Sequence, residues 1–199
     1  MKKKAQSEKE TGKVRIVIGG SGGQGILTIG KALAAAAIKQ KLEVSCLPSY
    51  GAEMRGGYVY CTIVMSESRE IYSPISAELD IGLFMNDSSY KMLASYLKKN
   101  AYVLLNSSLV KNCQKKNFRT FEIEATEIAE QLGNIKNANL ILAGALGNII
   151  SRNFLKFNIS SLYSGVAEIM SDKKMSEQGR RIIKAGWELI GNGRCQEKD

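Results

Sequence analysis

The residues with the clearest chemical potential are glycines. In "VRIVIGGSGGQGILTIGKALAAAA" (residues 14–37), Gly20, Gly22 and Gly25 stand in the spacing G-x-G-x-x-G, with Ser21, Gly23 and Gln24 between them. Such a run permits a tight turn between strand and helix and lets a ligand or another chain approach the backbone. A helix beginning there directs unpaired N–H groups and the positive end of its dipole outward, which favours an anion. A dinucleotide site further requires an acidic residue about 20 positions on, at the end of the next strand. That strand ends in Leu47, Pro48 and Ser49, and Glu43 lies at its start. The fingerprint is half present, so a nucleotide site, a packing turn and an anion or partner site all stay open.

A second loop, "SYGAEMRGG", sets Tyr50, Glu53 and Arg55 between Gly51 and the pair Gly56 and Gly57. Arginine offers a charged fork for carboxylate or phosphate. Both loops are expected at the carboxyl ends of adjacent strands, where open α/β sheets place their sites. The bland alternative is a surface turn with a local Glu–Arg pair of little energetic weight.

Composition removes other chemistries. The 199 residues include no histidine, so Ser-His and Cys-His nucleophile pairs and the commonest metal ligand are absent. No carboxylates form a ligand-spaced cluster, and neither a metal site nor a catalytic residue is assigned. The four cysteines, Cys46, Cys61, Cys113 and Cys195, lie 15, 52 and 82 positions apart. This matches neither C-x-x-C zinc sites nor clustered iron–sulfur ligands, and reduced, mostly structural thiols are expected. The net charge of +9 owes part of its size to residues 1–13, with five lysines and two glutamates. That segment is expected to be a basic, disordered tail. No basic face interleaved with aromatics suggests nucleic acid. The sequence shows no signal-peptide pattern and no run of about 20 apolar residues, which points to a cytoplasmic protein with no membrane contact.

The elements that position the loops follow from pattern. Residues 14–18 form a strand, residues 23–39 an alanine-rich helix and residues 43–47 a second strand. Residues 58–65 and 69–74 suggest a hairpin. Residues 79–86 and 100–110 are buried strands around a helix at 88–99, and "RTFEIEAT" is a further strand before a short helix ended by Gly133. The last third reads as three helices, the final one carrying Ile182, Ile183, Trp187 and Ile190 on one face as core or subunit contact. The expectation is one domain over residues 14–193. It is a three-layer α/β/α, Rossmann-like fold with a mixed, mainly parallel sheet and a helical C-terminal third.

Taken together, "GGSGGQG", "LPSYGAEMRGG" and "ATEIAEQLGNIKNANLILAGAL" (residues 125–146) resemble the gamma subunit of 2-oxoacid:ferredoxin oxidoreductases, of the 2-oxoglutarate or general 2-oxoacid type. The resemblance runs from Val14 to Trp187. It implies a subunit that helps convert a 2-oxoacid and coenzyme A to acyl-CoA and carbon dioxide, with two electrons passing to ferredoxin. Thiamine diphosphate, Mg and [4Fe–4S] clusters are implied in partner subunits, and no cofactor on this chain alone. Alpha and beta subunits are the implied partners, a delta subunit a further candidate, with ferredoxin reached through the complex. Gly20, Ser21, Gly22, Gly23, Gln24 and Gly25 become cofactor-binding candidates. Tyr50, Gly51, Glu53, Arg55, Gly56 and Gly57 become substrate or interface candidates. Relatives often have proline where Ala52 stands and a bulkier apolar residue where Ser21 stands. The competing reading is a stand-alone nucleotide-binding protein of Rossmann type.

Overall fold

The computed structural model describes residues 12–51, 57–67, 71, 73, 78–113, 117–170 and 175–191. Six strands form one sheet: β1 (Lys13–Ser21), β2 (Glu43–Tyr50), β3 (Tyr58–Ser66), β4 (Leu79–Phe84), β5 (Leu97–Asn106) and β6 (Arg119–Ile123), in the order β2-β3-β1-β4-β5-β6. The pairs β1–β4, β4–β5 and β5–β6 are parallel, whereas β3 runs antiparallel to both β1 and β2. Helices α1 (Ile26–Lys39), α2 (Asp87–Leu93), α3 (Ala125–Gln131), α4 (Ala138–Asn153), α5 (Ile159–Ile169) and α6 (Glu177–Gly191) complete the fold.

Two expectations are corrected here. The hairpin expected between residues 58–65 and 69–74 is replaced by one formed with the preceding strand: β2 and β3 pair from Glu43↔Ser66 to Tyr50↔Val59. Because β1 holds the other edge of β3, both of its backbone edges are filled. Most of residues 69–74 lie outside the described residues. Strands β1 and β2 are consequently not adjacent; β3 lies between them. The chain reverses at residues 51–57, and the shortest way to satisfy the edge of β2 is the strand that immediately follows it.

The helix expected over 88–99 is also shorter. α2 gives way to a 3-10 turn at Ala94–Tyr96, and β5 begins at Leu97. Leu97 pairs with Leu79, then the register shifts so that Tyr102 faces Ile81. Asn100 adopts φ 63° inside this irregularity, and its N–H donates to the Asn117 carbonyl at 2.7 Å. Asparagine tolerates the left-handed region better than most residues. α1 likewise starts at Ile26 rather than residue 23, because Gly23 (φ 90°) and Gly25 (φ 77°) are left-handed.

The strand alternation divides the core into two. Val14, Ile16 and Ile18 of β1 and Cys61, Ile63 and Met65 of β3 face the helical side on which α1 and α4 lie against the sheet, with α5 packed on α1 and α6 on α4. Val17, Phe84, Val103 and Leu105 point to the other side, against Tyr90 and Leu93 of α2. Helix packing is close where side chains are missing. A Cβ on Gly186 of α6 would collide with the Ile141 carbonyl, and one on Gly144 of α4 with the Ile183 carbonyl. Ile182, Ile183 and Ile190 are buried and Trp187 is half-buried, so this stripe serves the core. At the amino end of the sheet, buried Asp80 accepts from the Arg15 N–H at 2.7 Å and pairs with Lys98 at 2.6 Å.

Candidate binding and docking site

β1 and β2 end level with one another, although a strand separates them. Ser21 faces Tyr58 across one ladder and Tyr50 faces Val59 across the other. The two loops therefore meet over the start of β3. The Gly22 N–H donates to the Gly57 carbonyl at 2.9 Å, and the Gly51 N–H to the Tyr58 carbonyl at 2.7 Å. A continuous backbone path thus links the glycine loop to the base of the second loop. Glu53, Arg55 and Gly56 lie outside the described residues, while Gly51 and Gly57 mark where that loop leaves and re-enters the sheet. Tyr50 is 65% exposed at its edge.

Each glycine of the first loop has its own reason. A Cβ on Gly20 would come within 2.6 Å of Ile26 Cδ1 and 2.7 Å of Gln24 Oε1, so absence of a side chain lets Gln24 fold back. Gly25 combines a left-handed backbone with close contact to the Asn139 side chain. Gly23 has open space around it, and its requirement is the positive φ alone. Gly22 and Gly23 form the exposed tip.

Gln24 holds the turn from inside. Its Oε1 accepts from the Ser21 N–H at 2.7 Å and from Asn86 Nδ2 at 3.1 Å, while its own N–H donates to the Ser21 carbonyl at 3.1 Å. Asn86 Nδ2 also donates to Ser21 Oγ at 2.8 Å. The Asn86 Oδ1 accepts from the Ser89 N–H at 2.9 Å and thereby caps α2. One side chain ties the loop after β1 to the helix after β4. Asn86 was not among the sequence candidates. Its signal was available: an asparagine just before "DSSY", an N-cap composition.

Electrostatically the loop suits an anion. α1 has no side-chain cap and no acidic residue in its first turn, so its own residues do not neutralise its positive end. The N–H groups of Gly22 and Gln24 are already engaged, which puts the first turn of α1 ahead of those two as donors. Glu43, the carboxylate nearest to a ribose-binding spacing, is exposed at the opposite end of β2. Among the described residues no carboxylate stands at the carboxyl end of β2, where a dinucleotide site places its acidic partner. No three His, Cys, Asp or Glu residues among the described ones are grouped to hold a metal.

An open α/β sheet with one antiparallel strand inserted, and a glycine loop bonded to the base of a second loop at its carboxyl edge, are the features that position the candidate site. Residues 15–189 match the family model described as pyruvate ferredoxin/flavodoxin oxidoreductase, and the chain belongs to that family. Ketoisovalerate oxidoreductase subunit VorA of Methanothermobacter thermautotrophicus is 30% identical over 176 residues, covering 88% of this chain and 36% of the relative. The 2-oxoglutarate synthase subunit KorC of Archaeoglobus fulgidus is 29% identical over 178 residues, covering 88% of this chain and 87% of the relative. The chain thus spans about a third of the VorA relatives it matches and most of the KorC one. In fold it is similar to a keto/oxoacid ferredoxin oxidoreductase gamma subunit of Geobacter sulfurreducens, with a TM-score of 0.73 at 22% identity, over 90% of this chain and 99% of that one. It is similar also to 2-oxoglutarate:ferredoxin oxidoreductase of Magnetococcus marinus, with a TM-score of 0.77 at 18% identity, over 96% of this chain and 32% of that one.

Proposed function

We propose that this chain is the non-redox, gamma-type subunit of a 2-oxoacid:ferredoxin oxidoreductase, which oxidises a 2-oxoacid with coenzyme A to acyl-CoA and carbon dioxide and passes two electrons to ferredoxin. The observation that carries the reading is the Gly22–Gly57 bond. It joins the two loops on which the family resemblance rests into one surface, at the uncapped end of α1. In this reading thiamine diphosphate, Mg and [4Fe–4S] clusters belong to alpha and beta partners, a reading supported for the clusters by the scattered spacing of Cys46, Cys61, Cys113 and Cys195. The loops help close the active site: the first turn of α1 attracts an anionic group of coenzyme A or the acid, and Arg55, which lies outside the described residues, offers a charged fork for carboxylate or phosphate. None of these residues is assigned a bond-making or proton-transfer role. No helix among the described residues is long and apolar enough to cross a membrane, and we place the complex in the cytoplasm.

The test is anaerobic purification of the tagged chain from its native host, followed by coenzyme A-dependent viologen reduction across a panel of 2-oxoacids. Activity that co-purifies with larger, cysteine-rich subunits is the expected result. A lone chain without activity, from a preparation in which other complexes survive, overturns the reading. Stoichiometric binding of NAD, FAD or ATP by that lone chain would replace it with the nucleotide-binding alternative. In the active complex, Arg55→Ala is expected to raise the KM for the acid or coenzyme A about tenfold, or ~1.4 kcal/mol.

A further inference from the structure

The gamma-type reading leaves the cysteines of β2 and β3 without a role, yet two of them meet. Cys46 and Cys61 lie on the face of the sheet covered by α1, and their sulfurs are 3.3 Å apart. In the ladder Cys46 is opposite Ile63 and Cys61 opposite Pro48, so the pair is diagonal across neighbouring strands. α1 accommodates both sulfurs by presenting Gly30: a Cβ there would be 2.7 Å from Cys61 Sγ and 3.8 Å from Cys46 Sγ. The two thiols are unequal. Cys61 is buried, whereas Cys46 is half-buried at the outer strand. The hydrogen bond with Cys61 lowers the pKa of Cys46, burial opposes this, and the positive charge of Lys31 assists it. The same hydrogen bond and burial push the Cys61 thiol up. A more accessible, more acidic thiol next to a buried protonated one is the arrangement of an attacking and a resolving cysteine.

We propose that Cys46 and Cys61 are a reversible dithiol–disulfide pair, with Cys46 oxidised first by a hydroperoxide and Cys61 resolving it. The Cys46 thiolate attacks the terminal oxygen of the hydroperoxide; the O–O bond breaks, and the leaving oxygen takes up a proton as water or alcohol. The Cys61 thiol then attacks the Cys46 sulfenic acid sulfur: the S–S bond forms, the S–O bond breaks, and the Cys61 proton passes to the departing hydroxyl, which leaves as water. Two thiols are oxidised by two electrons and the peroxide is reduced by two. The sulfurs have to close a gap of only about 1.2 Å to reach bonding distance. The crosslink would staple β2 to β3 below the loop at residues 51–57, fixing the hairpin that carries Tyr50 and Gly57.

The reduced full chain is exposed to hydrogen peroxide, then digested without reduction and analysed by mass spectrometry. The expected product is a Cys46–Cys61 linked peptide pair lighter by two hydrogens. Alkylation of both residues should fall at least about tenfold and return after dithiothreitol. Cys61→Ala should halt at a Cys46 sulfenic acid that dimedone traps. Peroxide that leaves both thiols alkylatable, a link to Cys113 or Cys195 instead, or a Cys61→Ala chain whose first dimedone adduct is elsewhere would overturn the proposal. The wild-type mapping is independent of the variant's folding. It is equally independent of the oxidoreductase reading, because it needs neither partner nor substrate.

Discussion

Gln24 is the residue on which the glycine loop turns, and it acts inward. Its carbonyl oxygen gathers the Ser21 N–H and the Asn86 amide, so the side chain sets the loop's shape. Gln24→Ala is expected to cost about 1–2 kcal/mol and to speed amide exchange across residues 21–25, read by hydrogen–deuterium exchange. Asp87 at the start of α2 supplies a second test. The Asn112 and Lys111 N–H groups donate to its Oδ1 at 3.0 and 2.9 Å and, the Asn112 bond foremost, hold its carboxyl below the usual range against an opposing desolvation. Its contribution is complete above the unfolded carboxyl value of about 3.9. It is lost as the pH falls through the lower folded value. Denaturation midpoints should therefore fall less steeply on the acid side in Asp87→Asn than in the parent, with a slightly lower midpoint at neutral pH. At this scale the sequence shows which residues form the loops, since glycine spacing is local. It does not show that Gln24 points inward, because Asn86 reaches it from 62 positions away.

Among the elements, the glycine contacts between α4 and α6 set the helical layer. Gly186→Ala drives a methyl into the Ile141 carbonyl, and the helices must separate. A loss of about 3 kcal/mol is expected, at the upper end for overpacking; urea denaturation measures it, with Lys184→Ala on the exposed face as a near-neutral control. The helices were legible because apolar residues recur at helical spacing, as at Ile182, Ile183 and Ile190. The neighbour of β3 was not, since a strand's own residues say that it is buried and leave its partner unstated. "SSYKMLASYLKK" carries a helical pattern to its end, but the partner at Leu79 draws Leu97 into the sheet. Propensity here yields to pairing across 18 residues.

Across the whole molecule, the two sides of the sheet share their strands: β1 gives Ile16 and Ile18 to one cluster and Val17 to the other. Neither side can open without disturbing the other, so calorimetric and van't Hoff enthalpies of the isolated chain should agree. A second transition would mean that the α2 side melts alone. The inserted antiparallel strand has a consequence for synthesis. When residue 50 leaves the ribosome, β1 and β2 are both present, but the place between them is vacant. β2 cannot begin its ladder until Val59, the partner of Tyr50, has emerged, and it completes the ladder only with Ser66, because every one of its sheet pairings is to β3. The nascent chain must therefore carry an unpaired or part-paired strand through residues 51–66. At elongation rates of roughly 5–20 residues per second, that interval is on the order of a second. Cotranslational capture by a chaperone, or mispairing with a neighbouring polysome's chain, has its opening then.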